Sequence, residues 1–174
     1  SLMGGAAQVP GTILERESPY QLIRVLARGT ARHLIFNEGS GIQSVYDPEA
    51  EGTGLFYFDY ARVIPLLRPY DGATHKAAII GLAGGSVARE YFRYVPSDAR
   101  GEITGVEIDP DVIDVAREYF DLDSTGVRVV NQDGRMFLAS EGRDYDTVIV
   151  DAYSTQLYIP AHMATREFYA VAKG

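Results

Sequence analysis

The sequence predicts an α/β protein with a doubly wound, mainly parallel sheet, preceded by a small antiparallel β region. Three observations predict this class. Strand-like and helix-like segments alternate from residue 76 onward, a glycine-rich turn follows the first of these strands, and acidic residues follow the next three. Strands that alternate with helices form a parallel sheet covered on both faces. We expect a β region over residues 12–53 and an α/β core over residues 54–174.

Short strands separated by turns make up the first region. The pattern predicts strands over Gln21–Leu26, His33–Phe36 and Ile42–Val45, with turn-forming residues between them. Apolar residues at helical spacing then predict a helix over Leu55–Leu67, which ends before Pro69.

Predicted strands and helices alternate throughout the core. Strands are predicted at Lys76–Gly81, Glu102–Ile108, Val127–Val130 and Tyr145–Val150, and helices at Ser86–Tyr94, Pro110–Phe120, Gly134–Ala139 and Ala161–Ala172. The strand that ends at Val150 is expected at an edge of the sheet. Because an uncovered apolar edge favours aggregation, we expect the chain to be incomplete at its C-terminus, the alternative being a partner chain that covers the edge.

Composition excludes several classes of function. The 174 residues contain no cysteine, which rules out disulfides and thiolate chemistry, and no apolar run approaches the roughly 20 residues of a membrane span. No secretory leader is recognised, so we expect a cytoplasmic protein. The formal net charge of −8 disfavours nucleic acid. It suits a cationic small substrate, although solubility alone also selects acidic surfaces.

Two common kinds of catalytic site find no support in the sequence. His33, His75 and His162 lie on different predicted elements without accompanying carboxylates at ligand spacing, so no metal site is expected. The serines lack the glycine-flanked turn of a hydrolase nucleophile. The candidate chemistry therefore lies elsewhere.

The glycine-rich turn is the first candidate. Gly81, Gly84 and Gly85 lie where the first parallel strand meets its helix. Glycines there allow close approach of a ligand and leave N–H groups at a helix N-terminus. The spacing differs from the G-x-G-x-x-G dinucleotide motif, and tight strand–helix packing alone also explains such a turn.

Acids at the ends of three strands are the second candidate. Glu107 ends the strand after the glycine turn, at the spacing of an acid that accepts hydrogen bonds from ribose hydroxyls. Asp109 is expected to cap the following helix, a role that Glu107 cannot have inside the strand. Asp133 and Asp151 follow the next two strands. Since ligands bind at the carboxyl ends of parallel strands, we expect all three to face one crevice.

The ordered set of these segments resembles the spermidine synthase (polyamine aminopropyltransferase) family, over residues 20–169. That family has a Rossmann-like, class I S-adenosylmethionine methyltransferase-like fold. Besides the glycine turn and the three acids, the similar segments are Tyr20-Gln21-Leu22-Ile23-Arg24-Val25, Leu34-Ile35-Phe36-Asn37-Glu38-Gly39 with Gln43, Tyr57-Phe58-Asp59, and Thr165-Arg166-Glu167-Phe168-Tyr169.

The resemblance implies an aminopropyl transfer from decarboxylated S-adenosylmethionine to a small amine, in polyamine biosynthesis, by a homodimer without a metal. Asp151 corresponds to the catalytic aspartate, which accepts a proton from the attacking amine. Glu107 would hold the ribose and Asp133 the adenine amino group. The implied contacts with the nucleoside donor are Gln21, Gln43, Gly81, Gly84, Gly85, Glu107, Ile108, Asp133 and Gly134.

The chain departs from the family pattern at the residues that bind amines. Gly84 stands where the family's G-G-G-D-G loop has its aspartate, Ser154 replaces the second acid of D-x-x-D, and the hairpin tyrosine has no counterpart. Tyr153, Ser154 and Tyr158 are candidates for substrate binding, the tyrosines by cation–π contact, although packing roles are as common.

These departures leave two alternatives open. One is a methyltransferase that uses ordinary S-adenosylmethionine, whose carboxylate would be bound by free N–H groups at the helix N-terminus that follows the glycine turn. The other is a catalytically inactive domain that binds a nucleoside or mediates assembly.

Overall fold

The computed structural model describes residues 9–37, 41–54, 56–67, 74–96, 98–141, 145–152 and 161–173. These residues form two four-stranded sheets with helices packed against them. Within this part of the chain, no helix has the length and apolar character needed to cross a membrane.

The first sheet is antiparallel, in the order β1-β2-β3-β4. Its strands are β1 (Thr12–Glu17), β2 (Leu22–Arg28), β3 (Ala31–Phe36) and β4 (Ile42–Tyr46). The sequence analysis missed β1, whose charged residues obscured the alternation. In the structure its side chains alternate between half-buried and exposed, as expected for a strand with one covered face.

The second sheet is parallel, in the order β7-β6-β5-β8. Its strands are β5 (His75–Ile80), β6 (Arg100–Glu107), β7 (Arg128–Asn131) and β8 (Thr147–Val150). The predicted fold class is therefore confirmed. In the described sheet β8 lies at an edge, as expected.

Four α-helices accompany this sheet: α1 (Ser86–Tyr94), α2 (Pro110–Phe120), α3 (Gly134–Glu141) and α4 (Arg166–Lys173). Shorter 3₁₀ turns cover Leu122–Thr125 and Ala161–Met163. The helix predicted over residues 161–172 is thus divided. The Thr165 hydroxyl accepts the N–H of Phe168 (3.1 Å) and so caps a new helix.

The helix predicted over residues 55–67 is also corrected, because Tyr57–Leu67 is a 3₁₀ segment. Pro65 lies inside it and has no N–H to donate, which weakens the hydrogen-bond pattern of a regular α-helix. The tighter 3₁₀ turn presents Tyr57 at its first position.

Strand β5 is buried on both faces, which is the defining property of a doubly wound sheet. Ala77 and Ile79 pack with Tyr91 of α1 on one face. Ala78 and Ile80 pack with α3 and α4 on the other. Strands β2 and β3 pack separately against α2, so the antiparallel sheet is attached to the core through that helix.

A second attachment joins β4 to the glycine turn. The Ser44 hydroxyl accepts the N–H of Gly84 (2.8 Å). The Ser86 hydroxyl bonds both the N–H and the carbonyl of Val45 (2.8 Å each). These bonds bring the antiparallel sheet to the carboxyl ends of the parallel strands.

Candidate functional site

A cavity of about 300 Å³ lies where the two sheets meet, at the carboxyl ends of the parallel strands. This is where open α/β sheets bind ligands, and the size lies at the lower end of the range for small-molecule sites. The residues that line it are Tyr20, Gln21, Phe36, Gln43, Ile80, Gly81, Ala83, Val106, Glu107, Ile108, Gln132, Asp133, Gly134, Asp151, Ala152 and Met163.

Most of the residues singled out in the sequence meet at this cavity. Eight of them line it: Gln21, Gln43, Gly81, Glu107, Ile108, Asp133, Gly134 and Asp151. Gly84 and Gly85 are not among the lining residues. Tyr153, Ser154 and Tyr158, the candidates for amine binding, lie outside the described residues.

Gly81 lets two strands come together beneath the cavity. Its φ is +87°, and a Cβ there would lie 2.5 Å from the carbonyl oxygen of Asp151. No larger residue fits without moving backbone. Gly81 therefore fixes the spacing between the glycine turn and the end of β8.

Gly84 and Gly85 shape the turn from its opposite side. A Cβ on Gly84 would lie 2.7 Å from the Cβ of Ser44 and 3.1 Å from the ring of Phe120. Gly85 has φ +83°, and its Cβ would meet Leu122 at 2.7 Å. Both glycines allow tight packing of the turn, and their assignment as donor contacts stays a prediction.

The N–H groups of the glycine turn are used within the protein. The free N–H groups expected from the sequence are those at the N-terminus of α1, which begins at Ser86, and that expectation stays a prediction. Gly81 and Leu82 donate to the Val106 carbonyl (2.9 and 3.1 Å), Ala83 to Glu107 (3.0 Å), Gly84 to Ser44 (2.8 Å) and Gly85 to Leu82 (2.9 Å).

Glu107 connects the glycine turn to the end of β6. It is only 7% exposed, and its carboxylate accepts the N–H groups of Ala83 (3.0 Å) and Asp109 (3.2 Å). Burial raises the pKa of Glu107, while these hydrogen bonds oppose the rise. A buried acid with one edge at the cavity suits recognition of hydroxyl donors.

Asp109 joins the antiparallel sheet to the same strand end. It caps α2 by accepting the N–H of Asp111 (3.0 Å), as the sequence predicted. It also accepts the Ser18 hydroxyl (2.5 Å) and the side-chain N–H of Gln21 (3.4 Å). The amide nitrogen of Gln21 is thereby directed toward Asp109.

Two other polar residues border the cavity. Asp133 accepts the N–H of Met136 (2.9 Å), so it caps α3 while lining the site. Gln43 donates its side-chain N–H to the Gly41 carbonyl (3.3 Å). The strand ends that the sequence placed together thus supply polar groups on several sides.

Asp151 is held by a residue 94 positions earlier. The Tyr57 hydroxyl lies 3.1 and 3.0 Å from the two carboxylate oxygens of Asp151. Burial raises the pKa of Asp151 to about 6, and the Tyr57 hydrogen bond opposes the rise. A carboxyl group with this pKa is mainly ionised at pH 7 and still basic enough to accept a proton.

The sequence analysis missed several members of this site. Tyr57 was noted only as part of a motif, because its pairing with Asp151 spans 94 residues. Ser18 supported no inference, since its role depends on the buried Asp109. Gln132 offered a signal by its position beside Asp133. Phe36 and Met163 are ordinary apolar residues in the sequence, yet they line the cavity.

The charge of the lining has one sign. Glu107, Asp133 and Asp151 contribute three carboxyl groups, and none of the described lining residues is a lysine, arginine or histidine. Such a lining favours a cationic ligand and, among the described residues, offers no cationic partner to a ligand carboxylate. Among the described residues, no group of three or more side chains is arranged to hold a metal ion.

Comparison with known proteins gives a consistent result. The family model for the spermine/spermidine synthase domain matches residues 65–173, more than half of the chain. A probable polyamine aminopropyl transferase of Bifidobacterium longum is 36% identical over 159 residues, which cover 91% of this chain and 34% of that protein. The polyamine aminopropyltransferase of Corynebacterium efficiens is 33% identical over 170 residues, covering 92% and 30%.

Solved structures agree on the fold. A spermidine synthase in complex with the transition state analogue AdoDATO matches with a TM-score of 0.70 and 22% identity, over 93% of this chain and 53% of that one. The spermidine synthase of Thermotoga maritima matches with a TM-score of 0.66 and 22% identity, over 93% and 51%. The chain spans about a third of the length of the curated relatives it matches.

Proposed function

Because the chain belongs to the spermine/spermidine synthase family, we propose that it takes part in aminopropyl transfer from decarboxylated S-adenosylmethionine to a small amine in polyamine biosynthesis. Relatives of the same family carry the name polyamine aminopropyltransferase. The observation that carries the proposal is the half-buried Asp151, which lines an acidic cavity and is held by the Tyr57 hydroxyl.

Asp151 has the properties that this reaction requires. The attacking amine is protonated near neutral pH, and only its free base is a nucleophile. The Asp151 carboxylate, with a pKa near 6, accepts the amine proton and directs the nitrogen lone pair. The nitrogen forms a bond to the carbon beside the sulfonium, the carbon–sulfur bond breaks, and a neutral thioether leaves. Positioning supplies the remaining acceleration.

The charge of the cavity favours the decarboxylated donor over S-adenosylmethionine. The decarboxylated compound is wholly cationic outside its nucleoside, which suits a cavity that Asp151 lines and in which every charged lining residue described is an acid. The carboxylate of S-adenosylmethionine would find no cation among the described lining residues. This observation opposes the methyltransferase alternative.

Individual contacts follow from this assignment. We propose that Glu107 binds the ribose hydroxyls and that Asp133 binds the adenine amino group. Gln21, Gln43, Ile108 and Gly134 would border the nucleoside, as cavity-lining residues. Tyr153, Ser154 and Tyr158 remain proposals for the amine site.

Two properties of the assembled protein rest on the family resemblance alone. We propose a homodimer, and we propose that it acts in the cytoplasm. Light scattering coupled to size-exclusion chromatography tests the first, and fractionation of the source cells tests the second.

Calorimetry tests the donor assignment directly. We expect methylthioadenosine to bind, and decarboxylated S-adenosylmethionine to bind more tightly than S-adenosylmethionine. Tighter binding of S-adenosylmethionine would favour the methyltransferase. Failure of all three to bind would leave only an assembly role.

A transfer assay tests the role of Asp151. Asp151→Asn should abolish transfer of the aminopropyl group while methylthioadenosine still binds. Asp114→Asn is the matched control, since Asp114 is exposed on α2 and is not among the cavity-lining residues. Equal turnover in Asp151→Asn and the parent chain would remove Asp151 from the mechanism.

A further inference from the structure

Glu90 is a buried acid that the proposed reaction does not use. It lies on α1, is 1% exposed, and is not among the cavity-lining residues. One carboxylate oxygen accepts the side-chain N–H of Arg62 (2.9 Å). The other has no hydrogen-bond partner among the described residues and lies 3.7 Å from Arg93. Burying a carboxylate is costly unless the charge is paired, and Arg62 supplies the pair for Glu90.

Arg62 extends this link into the 3₁₀ segment Tyr57–Leu67. Its guanidinium lies 3.4 Å from Asp59 and stacks 4.9 Å above the ring of Tyr94. Asp59 in turn accepts the N–H (3.0 Å) and the hydroxyl (2.7 Å) of Thr53. The network therefore joins α1, the 3₁₀ segment and the loop that precedes it.

The first residue of the same segment is Tyr57. Its ring packs on Phe58, with 4.1 Å between centroids, and Phe58 lies in the core cluster that includes Tyr91 of α1. Apolar packing is non-directional and holds the segment against α1 without fixing its rotation. A charge-assisted hydrogen bond is directional, so the Glu90–Arg62 pair supplies the missing constraint.

We propose that Glu90 and Arg62 are positioning residues, which hold the 3₁₀ segment in the orientation that places the Tyr57 hydroxyl on Asp151. The importance of that orientation for turnover rests on the proposed function. The contacts from which the positioning role is inferred are those of Glu90 with Arg62 and of Tyr57 with Asp151, and they do not depend on which reaction the site performs.

Titration of Asp151 reports on this contact without any substrate. The described titratable groups that share its surroundings are Tyr20, Tyr57, Glu107 and Asp133. Burial raises the pKa of Asp151, and the hydrogen bond from Tyr57 lowers it. Loss of the contact must therefore raise that pKa further.

Carbon-13 NMR of labelled aspartate follows the Asp151 carboxyl group, identified by its disappearance in Asp151→Asn. In Tyr57→Phe we expect its titration midpoint to rise above that of the parent chain. Glu90→Gln and Arg62→Gln should move it in the same direction. Adding Glu90→Gln to Tyr57→Phe should cause no further change, because both remove one contact.

The control is Glu102→Gln, which removes an exposed acid paired with Arg128 on another strand (3.2 Å). It should leave the Asp151 titration unchanged. Glu90→Gln removes the buried charge together with the ion pair, so it should fold even where Arg62→Gln, which leaves the Glu90 carboxylate with Arg93 at 3.7 Å, does not. An unchanged Asp151 titration in Glu90→Gln, with or without a lowered melting temperature, overturns the proposal.

Transfer kinetics then separate this proposal from the proposed function. If the chain transfers aminopropyl groups, kcat in Glu90→Gln should fall several-fold at pH 7. The acidic limb of its profile of kcat against pH should also move to higher pH. If no form of the chain transfers the group but the titrations shift as described, the proposed function fails and the positioning role stands.

Discussion

The backbone N–H of Gly84 lies 2.8 Å from the hydroxyl oxygen of Ser44 and donates to it. This bond fastens the antiparallel sheet to the glycine turn, and it occupies the space beside Gly84. In the family pattern the same loop position holds an aspartate. Here the neighbouring strand fills the room that such a side chain would need.

Gly84→Asp should therefore destabilise the protein rather than restore an amine-binding acid. Inserting a side chain against Ser44 and Phe120 overpacks a buried site, which costs about 1–3 kcal/mol. Urea unfolding of the variant should show this loss. Adding Ser44→Gly should recover part of it, because the Cβ at 2.7 Å is removed. Unchanged stability with tighter binding of the decarboxylated donor would contradict the packing argument.

Gly81→Ala should damage the site more severely. The new Cβ would lie 2.5 Å from the Asp151 carbonyl, and φ is +87°. We expect a loss of more than about 2 kcal/mol and no measurable binding of methylthioadenosine. Gly29→Ala is the matched control, since Gly29 also has a positive φ (+62°) but no atom within 4 Å. It should cost only about 1 kcal/mol. Equal effects of the two variants would show that backbone strain, rather than the contact with Asp151, governs Gly81.

The order of strands and helices could be predicted because periodicity is a local property of the sequence. Most of the predicted site residues that line the cavity belong to the glycine turn or lie at strand ends. They could be predicted because parallel strands bring their carboxyl ends to one edge of the sheet. Strand β1 was missed because its dense charges hide its one-sided burial.

Contacts between distant residues could not be predicted. The pairing of Tyr57 with Asp151 and the engagement of Gly84 by Ser44 depend on how two sheets pack together. The acceptors of the N–H groups in the turn could not be predicted for the same reason, because most of them come from Val106, Glu107 and β4. The proposed division of the chain at residues 53 and 54 stays a prediction.

Glu107→Gln should weaken binding of methylthioadenosine. The variant loses a charged acceptor that faces the cavity and orders the Ala83 N–H. Hydrogen bonds to charged groups contribute about 1.5–3 kcal/mol, which corresponds to roughly a ten- to hundredfold loss of affinity. Calorimetry at pH 8 measures this, with Glu102→Gln as the exposed control.

The pH dependence of binding offers a second measurement on Glu107. Its raised pKa means that the carboxylate gains a proton earlier than an exposed glutamate as the solution is acidified. Affinity for methylthioadenosine should therefore fall as the pH is lowered, and the fall should be smaller in Glu107→Gln. The same pH profile in both proteins would assign the titration to another group.

Asp151 should make the folded protein less stable at neutral pH. Its pKa is about 6 in the folded chain, against an ordinary value of 3.8, so the folded state binds more protons between these values. Stability must then fall as the pH rises through this window, by about 1–3 kcal/mol in total. Below about pH 4 both states are protonated and the penalty disappears.

Asp151→Asn removes the buried charge and should be more stable than the parent chain at pH 7.5. Near pH 4 the two proteins should unfold at nearly the same urea concentration, because protonated aspartate and asparagine are both neutral there. Asp114→Asn, at an exposed position, should show no such crossover. A gain in stability at neutral pH with a loss of turnover would mean that Asp151 is retained for chemistry at the expense of stability. If Asp151→Asn is less stable than the parent chain at pH 7.5, the carboxylate contributes to folding through Tyr57 more than its burial costs.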